Sequence, residues 1–290
     1  MMNTKEYILA LSAKIGLPEE AAQYALPVAE QLDGSAFLEE IWQCVTCKDH
    51  NIRYGAINLF RQKEGEYGCE AYRICLAATL LLTRNMKALY EEKGYDLQIY
   101  WDSLQDIAIW ANCCKRDTGR WGMKQFGWLT KTLGGTLWRL GRMQFELIHF
   151  EEGHYEKDGV VLNDGDIVIN THIPEGEPLT PELRTDAFDR AVKFFGRNVF
   201  MCESWMLWPA HYEILKPTSN IVSFMNDFDI FKSFEVPGVN DLWRIFGYLP
   251  DYRPEKLPAN SSMQRGYIAK LRQNGGLTGG GYGIHIHRAK

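Results

Sequence analysis

At 290 residues, 46% hydrophobic and 24% charged, the chain is long enough for one large core or two modest ones and has the balance of a globular protein. Its formal net charge is −5 with no Lys/Arg-rich block, which excludes a nucleic-acid footprint, and its most apolar run, Ile74 to Leu82, is too short to cross a bilayer. The seven irregularly spaced cysteines read as reduced thiols and the N-terminus lacks a small-residue cleavage site, so a cytoplasmic protein is expected.

Proline and glycine divide the chain. Two prolines and seven glycines precede residue 121, and nine and nineteen follow it. Turn formers punctuate short elements, so the first half is expected to be helical and the second to alternate strands with helices. A helix is predicted over Pro18 to Asp33 from the proline and acids of its first turn and the stop at Gly34, over Cys69 to Glu92 as a long apolar run, and over Ala36 to Cys47 and Leu97 to Cys114 on apolar residues at helical spacing. The segment "KRDTGRWG", Lys115 to Gly122, is the expected boundary, giving a helical domain over 1–120 and a second domain over 121–290.

The second domain is predicted to open with a helix over Met123 to Leu140, then a strand over Arg142 to Glu152. Asp158–Gly159 signals a hairpin, and Ile167 to His172 reads as the next strand. Leu183, Ala187, Ala191, Phe194 and Phe195 form one helical stripe. A central strand is expected over Asn198 to Pro209, a helix over Asn220 to Phe228, and strands over Phe231 to Val236 and Leu242 to Tyr248. A helix over Ser262 to Gln273 and a strand over Gly283 to His287 close the chain. The order implies a mixed α/β domain with a central βαβ unit behind a helical one.

The stretch "HIPEGEPLTPE", His172 to Glu182, joins a strand to a helix. Pro174 holds Ile173 extended, Gly176 permits a sharp turn, Thr180 is a good N-cap and Pro181 suits the first helical position. A helix start offers free N–H groups to an anion, but Glu175, Glu177 and Glu182 oppose one, and many such connections hold no ligand.

The strings "LWRLGRMQFEL" (Leu137 to Leu147), "DIVINTHIPEGEPLTPE" (Asp166 to Glu182), "CESWMLWP…SNIVSFMNDF" (Cys202 to Phe228) and "SSMQRGYIAKLRQNGG" (Ser261 to Gly276), in that joint order, resemble a bacterial acyltransferase-domain family. That family couples a helical N-terminal acyltransferase domain to a C-terminal GNAT-like domain with a mixed β-sheet. The resemblance implies that Ile167–His172 and Val199–Leu207 splay apart and that the pantetheine arm of acetyl-CoA or another acyl-CoA lies between them, with no metal. Thr171, Ile173, Pro174, Gly176, Leu179 and Thr180 would then contact the cofactor. The usual loop is Arg/Gln-x-x-Gly-x-Gly/Ala, whereas this one has Gly176 alone and no arginine.

Acyl transfer to an amine needs a base for the ammonium proton, donors for the developing oxyanion and an acid for the thiolate. His172 and Glu203 are the candidate bases on the splayed strands and Tyr212 the candidate acid; for each, a satisfied structural role competes. Trp205, Trp208 and Ser204 are candidates for a substrate pocket, although aromatics in a central strand are more often core. Arg142, with Arg139, is placed to bind the 3′-phosphate or an acidic substrate, or to pair with Glu146 and Glu151. Cys202 beside Glu203 could take an acyl group, but burial would make it inert.

Other motifs read blandly. Cys44 and Cys47 with His50 lack a fourth zinc ligand and suit buried small hydrophobes better. "GGLTGGGYG", Gly275 to Gly283, does not fit a nucleotide loop and reads as a flexible lead into the last strand, with His285 and His287 solvated near the chain end. The expected function is acyl-CoA-dependent transfer to an amine of a small-molecule or peptide acceptor, with no nucleic-acid or membrane partner and a homodimer as a compatible state. The alternatives are a non-catalytic acyl-CoA-binding module and an interaction protein on the same scaffold.

Overall fold

A computed structural model describes residues 2–237 and 242–288. The chain divides into two compact units, one of Met1–Leu140 with Pro174–Gly176 and one of Gly141–Ile173 with Glu177–Lys290. The stretch 121–140 therefore lies with the helices, and so do three residues of the loop between the expected strand and helix.

The first unit is built from α1 (Thr4–Ile15), α2 (Glu19–Leu32), α3 (Ala36–Thr46), α4 (His50–Gly55), α5 (Ile57–Gln62), α6 (Glu64–Tyr67), α7 (Ala71–Lys93), α8 (Leu97–Thr118), α9 (Phe126–Leu133) and the short β1 (Trp138–Leu140). A capping box of Asn3 and Glu6 starts α1, and the side chains of Ser35 and Asp96 cap α3 and α8. Helix α7 is the centre, with Ile74, Leu76, Ala77, Leu80 and Leu82 fully buried, as a helix apolar on all sides requires. A single helix from Met123 to Leu140 does not form. Gly134 and Gly135 end α9, and a Cβ at Gly134 would stand 3.0 Å from the Val45 carbonyl oxygen. Cys44 and Cys47 are free thiols, half-buried rather than buried. Among the described residues no helix is long and apolar enough to cross a membrane.

The second unit contains β2 (Met143–His149), β3 (His154–Lys157), β4 (Val160–Asn163), β5 (Ile167–His172), α10 (Pro181–Phe195), β6 (Val199–Ser204), a 3-10 turn at Trp205–Leu207, α11 (His211–Ile214), α12 (Asn220–Met225), β7 (Asp229–Pro237), α13 (Leu242–Phe246), α14 (Ser262–Gln273) and β8 (Leu277–Ile286). Its main sheet runs β2-β5-β6-β8-β7, with β5 and β6 parallel and the other pairs antiparallel. The crossover from β5 to β6 is α10, which completes the βαβ unit. Phe188 of α10 packs on one sheet face, its ring 4.8 Å from Phe200 and 4.3 Å from His285. The β3–β4 hairpin, turned by Asp158 and Gly159 at positive φ, covers part of the other face with Phe150, Tyr155 and Leu162 around Val168, Met201 and Ile284.

Three expectations fail here for identifiable reasons. Leu242 to Phe246 is a helix rather than a strand, because Leu242 and Phe246, four apart, both bury into a cluster with Leu257, Tyr267, Ile268 and Leu271. The long central strand ends at Ser204, whose hydroxyl accepts from Met206 N–H and starts the 3-10 turn. "GGLTGGGYG" is no flexible lead, since β8 begins at Leu277 and its glycines are paired and close-packed. A Cβ at Gly279 would lie 2.3 Å from the Phe234 carbonyl oxygen and 2.6 Å from Trp208 Nε1, and one at Gly281 2.4 Å from the Leu207 carbonyl oxygen. Gly279→Ala is therefore expected to destabilise the fold by roughly 2–3 kcal/mol, read as a lowered urea midpoint; an unchanged midpoint would show that β8 can shift without loss.

His211 is fully buried among Trp205, Trp208 and Tyr267; its Nε2 lies 2.5 Å from the Tyr267 hydroxyl and its Nδ1 3.2 Å from the Met206 carbonyl oxygen. Burial lowers it from 6.5 to about 4. The unfolded imidazole takes its proton near 6.5 and the folded one resists until about 4, so across that window the unfolded state binds more protons and stability falls as pH falls. The contribution present above pH 6.5 and lost below 4 is about 3 kcal/mol. Denaturant midpoints taken from pH 7 to 4 should slope more steeply for the native chain than for His211→Gln; identical slopes would remove His211 from the account.

Candidate functional site

The site begins where a ladder stops. β5 and β6 are paired only at Ile169–Phe200 and Asn170–Met201. Each strand continues on its outer side: Thr171 and His172 pair with Phe145 and Gln144 of β2, and Cys202, Glu203 and Ser204 pair with Gly283, Tyr282 and Gly281 of β8. The carboxyl ends of two adjacent parallel strands thus remain in the sheet without pairing to each other, the location where open α/β sheets place ligands.

Register sets which side chains meet this opening. Successive side chains alternate between faces, so two residues beyond Asn170–Met201 put His172 and Glu203 at one level on one face. One residue beyond puts Thr171 and Cys202 on the opposite face. Thr171 is 1% exposed and its hydroxyl has no hydrogen-bond partner. Cys202 is fully buried, and burial pushes its thiol far above the ordinary range, so no thiolate is on offer there.

His172 has a carboxylate partner. Its Nε2 is 2.7 Å from Oε1 of Glu146, a side chain on β2 that is 9% exposed. Asn170 Nδ2 donates to the same oxygen at 3.3 Å. Asn170 Nδ2 also lies 3.1 Å from His172 Nε2, so Glu146, Asn170 and His172 form one polar cluster at the edge of the opening. The sequence reading set Glu146 against an arginine. Its signal is a carboxylate between Phe145 and Leu147 in a strand, opposite Asn170 in the β2–β5 register.

Glu203 is exposed and faces Tyr282 across the β6–β8 ladder. Burial, and then the Glu203 charge and hydrogen bond, raise the Tyr282 phenol from 10 to about 12. Lys232 Nζ sits 4.9 Å over the Tyr282 ring and pairs with Glu152 at 2.6 Å.

The other candidates are spread more widely. The Tyr212 hydroxyl donates to Asn226 Oδ1 at 3.1 Å, and its ring borders a groove of about 310 Å³ with Pro209, Phe228, Ile230 and Lys232, on the β7 side of the sheet. Trp208 is 2% exposed and donates its indole N–H to Glu235 Oε1 at 3.1 Å, which places it in the core. Trp205 is half-buried against the same cluster, and Ser204 caps the turn between them. Arg142 is buried, and its Nε donates to the Glu177 carbonyl oxygen at 2.8 Å, so it braces loop backbone. Ile173 and Pro174 are half-buried and Gly176 is exposed. Thr180 caps α10 by accepting from Leu183 N–H at 3.4 Å, and the buried Leu179 gives its carbonyl oxygen to Arg184 at 2.9 Å.

His285 and His287 are not solvated. His285 Nδ1 lies 2.7 Å from the Asp227 carbonyl oxygen, His285 Nε2 3.3 Å from His287 Nδ1, and His287 Nε2 2.6 Å from Asp189 Oδ1. The alternation that put them on one face was right; that face lies under Phe188.

Comparison with known proteins supplies a context for this geometry. A family model for a GNAT-like C-terminal domain matches residues 137–284, and one for an N-acyltransferase N-terminal domain matches residues 7–135. The fold resembles an acyltransferase mutant solved with octanoyl-CoA, at 24% identity over 99% of this chain and 90% of that one, with a TM-score of 0.75. It also resembles an acyltransferase solved with decanoyl-CoA and teicoplanin (24% identity, 97% and 88% covered, TM-score 0.74) and one solved with decanoyl-CoA (19%, 97% and 87%, 0.72). At such identities the likeness is one of fold. No curated protein matches the chain.

Proposed function

The chain belongs to the family that joins an N-acyltransferase N-terminal domain to a GNAT-like C-terminal domain, and from that premise we propose that it transfers an acyl group from acyl-CoA to an amine. The observation that carries this reading is the opening between β5 and β6, with His172 and its carboxylate partner Glu146 at its edge. An extended thioester arm with its own amide groups can pair with the backbone that each strand turns toward the other. The carbonyl carbon then lies near the level of His172 and Glu203.

In this reading His172 takes a proton from the acceptor ammonium, and Glu146 stabilises the imidazolium that forms. The amine attacks the thioester carbonyl, backbone N–H groups at the opening hold the oxyanion, and the C–S bond breaks as the C–N bond is completed. The adduct nitrogen passes its second proton to the departing thiolate, directly or through water, and the imidazolium releases the first to solvent. His172 is preferred to Glu203 because Glu203 is exposed and turned to Tyr282, and Tyr212 is left out because its hydroxyl serves Asn226 beyond β6. The relatives in fold were solved with octanoyl-CoA, decanoyl-CoA and teicoplanin, which favours medium acyl chains and an amine on a peptide or glycopeptide as the first compounds to try.

Calorimetry with CoA, followed by a thiol-release assay against an amine panel, tests the reading. His172→Ala should lower kcat by about 10²–10⁴-fold with CoA affinity kept, and Glu146→Gln by about tenfold or more. Unchanged turnover in His172→Ala would remove the imidazole from the mechanism. Binding without turnover across the panel would favour a non-catalytic acyl-CoA module instead. Tyr212→Phe should leave kcat within about twofold, and a loss of a hundredfold would return the phenol to the chemistry.

A further inference from the structure

Strand register draws a line of polar side chains across the sheet of the second unit. Gln144 of β2 faces His172 of β5, while Glu203 of β6 faces Tyr282 of β8, which faces Lys232 of β7. His172 and Glu203 stand level on one face, on either side of the opening. The line therefore crosses the candidate site, and all of its members belong to one compact unit.

The charges along this line are unevenly matched. Lys232 Nζ is held by Glu152 at 2.6 Å, and on the hairpin over the same face Lys157 is held by Asp229 at 2.7 Å. Glu146 is taken up by His172 and Asn170. Glu203 is exposed and has no ion-pair partner among the described residues. What it has is Tyr282. Burial, and then the Glu203 charge, push that phenol up to about 12, so it keeps its proton at neutral pH and donates to the carboxylate. A carboxylate held by one phenol has lone pairs left for a second donor. An exposed glutamate is ordinary in itself; the place of Glu203, across the opening from the imidazole, is what distinguishes it.

We propose that Glu203 binds the acceptor: its carboxylate receives the ammonium of a primary amine that has no acid group beside it, and keeps one N–H of that nitrogen while His172 takes another. The proposal rests on the acyl-transfer reading above. A primary ammonium has three N–H groups. In that reaction the first proton goes to His172 and the second to the thiolate, and the third stays on the product amide and can face Glu203 throughout. The nitrogen is positive both as the incoming ammonium and in the adduct, so the carboxylate serves both states and its loss falls mainly on KM. The same charge repels a carboxylate next to the amine, which sets the acceptor class. Tyr282 is the positioning residue, since its hydroxyl fixes the direction of the Glu203 carboxylate.

The test compares the native chain with Glu203→Gln and Tyr282→Phe, using octanoyl-CoA as donor and matched primary amines with and without a neighbouring carboxylate, leucinamide and leucine among them. Glu203→Gln should raise KM for the acid-free amines about tenfold and leave kcat within about threefold. It should also shrink the preference for leucinamide over leucine by about tenfold, a change of ratio from which the intrinsic reactivities of the two amines cancel. Tyr282→Phe should raise the same KM by about threefold, and calorimetry should show native CoA affinity in both variants. A fall in kcat on the scale expected for His172→Ala would make Glu203 the base, and an unchanged KM with an unchanged preference would make it a solvated side chain; either overturns the assignment. Turnover of no panel amine, with CoA bound by the native chain, would overturn the acceptor assignment and leave acyl-CoA binding standing. No binding of millimolar CoA by the native chain would overturn the acyl-CoA reading with it. Glu203 is exposed, so its variant should fold, which thermal melts of both variants check.

Discussion

Parallel strands that share hydrogen bonds at Ile169–Phe200 and Asn170–Met201 and stop there leave two rows of backbone N–H and C=O groups turned toward each other without pairing. Buried backbone groups in that condition cost free energy comparable to a lost hydrogen bond apiece, so an opening of this kind persists where water or an extended ligand can satisfy them. For a ligand placed there, as proposed above, that constraint favours an extended shape. A chain of alternating donors and acceptors about one strand wide fits the opening, whereas an aromatic or a compact sugar would leave most of the groups unmet. The amide-bearing arm proposed for it meets that demand, and side-chain chemistry is needed only at its reactive end.

The opening has a cause within the sheet. β6 follows β8 through Ser204, and the 3-10 turn after it folds directly over β8. That approach is possible because Gly281 and Gly283 present no side chain; a Cβ at Gly281 would meet the Leu207 carbonyl oxygen and one at Gly283 would lie 3.0 Å from a Leu207 methyl. β5, meanwhile, is held to β2 as far as His172. Each strand is drawn to its outer neighbour, and the boundary between them is where the sheet yields. The glycine-rich stretch near the C-terminus thus shapes the site while contributing no functional group to it.

Much of this was legible in the residues. Helical spacing found α3 and α8, apolar runs α7 and β5, first-turn proline and acids α2, and Thr180 with Pro181 placed the start of α10. What resisted was information held in three dimensions. Five residues from Leu242 give too few periods to separate helix from strand, and only the cluster around Tyr267 decides. The glycines of β8 look like a linker until the turn packed on them is seen. Glu146 becomes meaningful only through the β2–β5 register, which no local pattern encodes. Arg116 lay in a segment taken for a domain boundary, 59 residues before Glu175, the carboxylate it holds.

Register also singles out one imidazole among seven. His50 stacks on Tyr54 in the helical unit, and His154 is on the outer hairpin. His149 pairs with Ile167, at the end of β5 away from the opening. His211 has both ring nitrogens engaged and is held neutral by burial, which fits a packing role and disfavours one in proton transfer. His285 and His287 have all four ring nitrogens committed to one chain running from the Asp227 carbonyl to Asp189, and burial lowers His285 as well. His172 stands where the ladder has ended, level with Glu203, and its carboxylate partner lies on the strand behind it. In the reaction proposed above, an imidazole so placed has a fixed anion on one side and the unpaired strand ends beside it, and its position, more than its residue type, is what recommends it as the base.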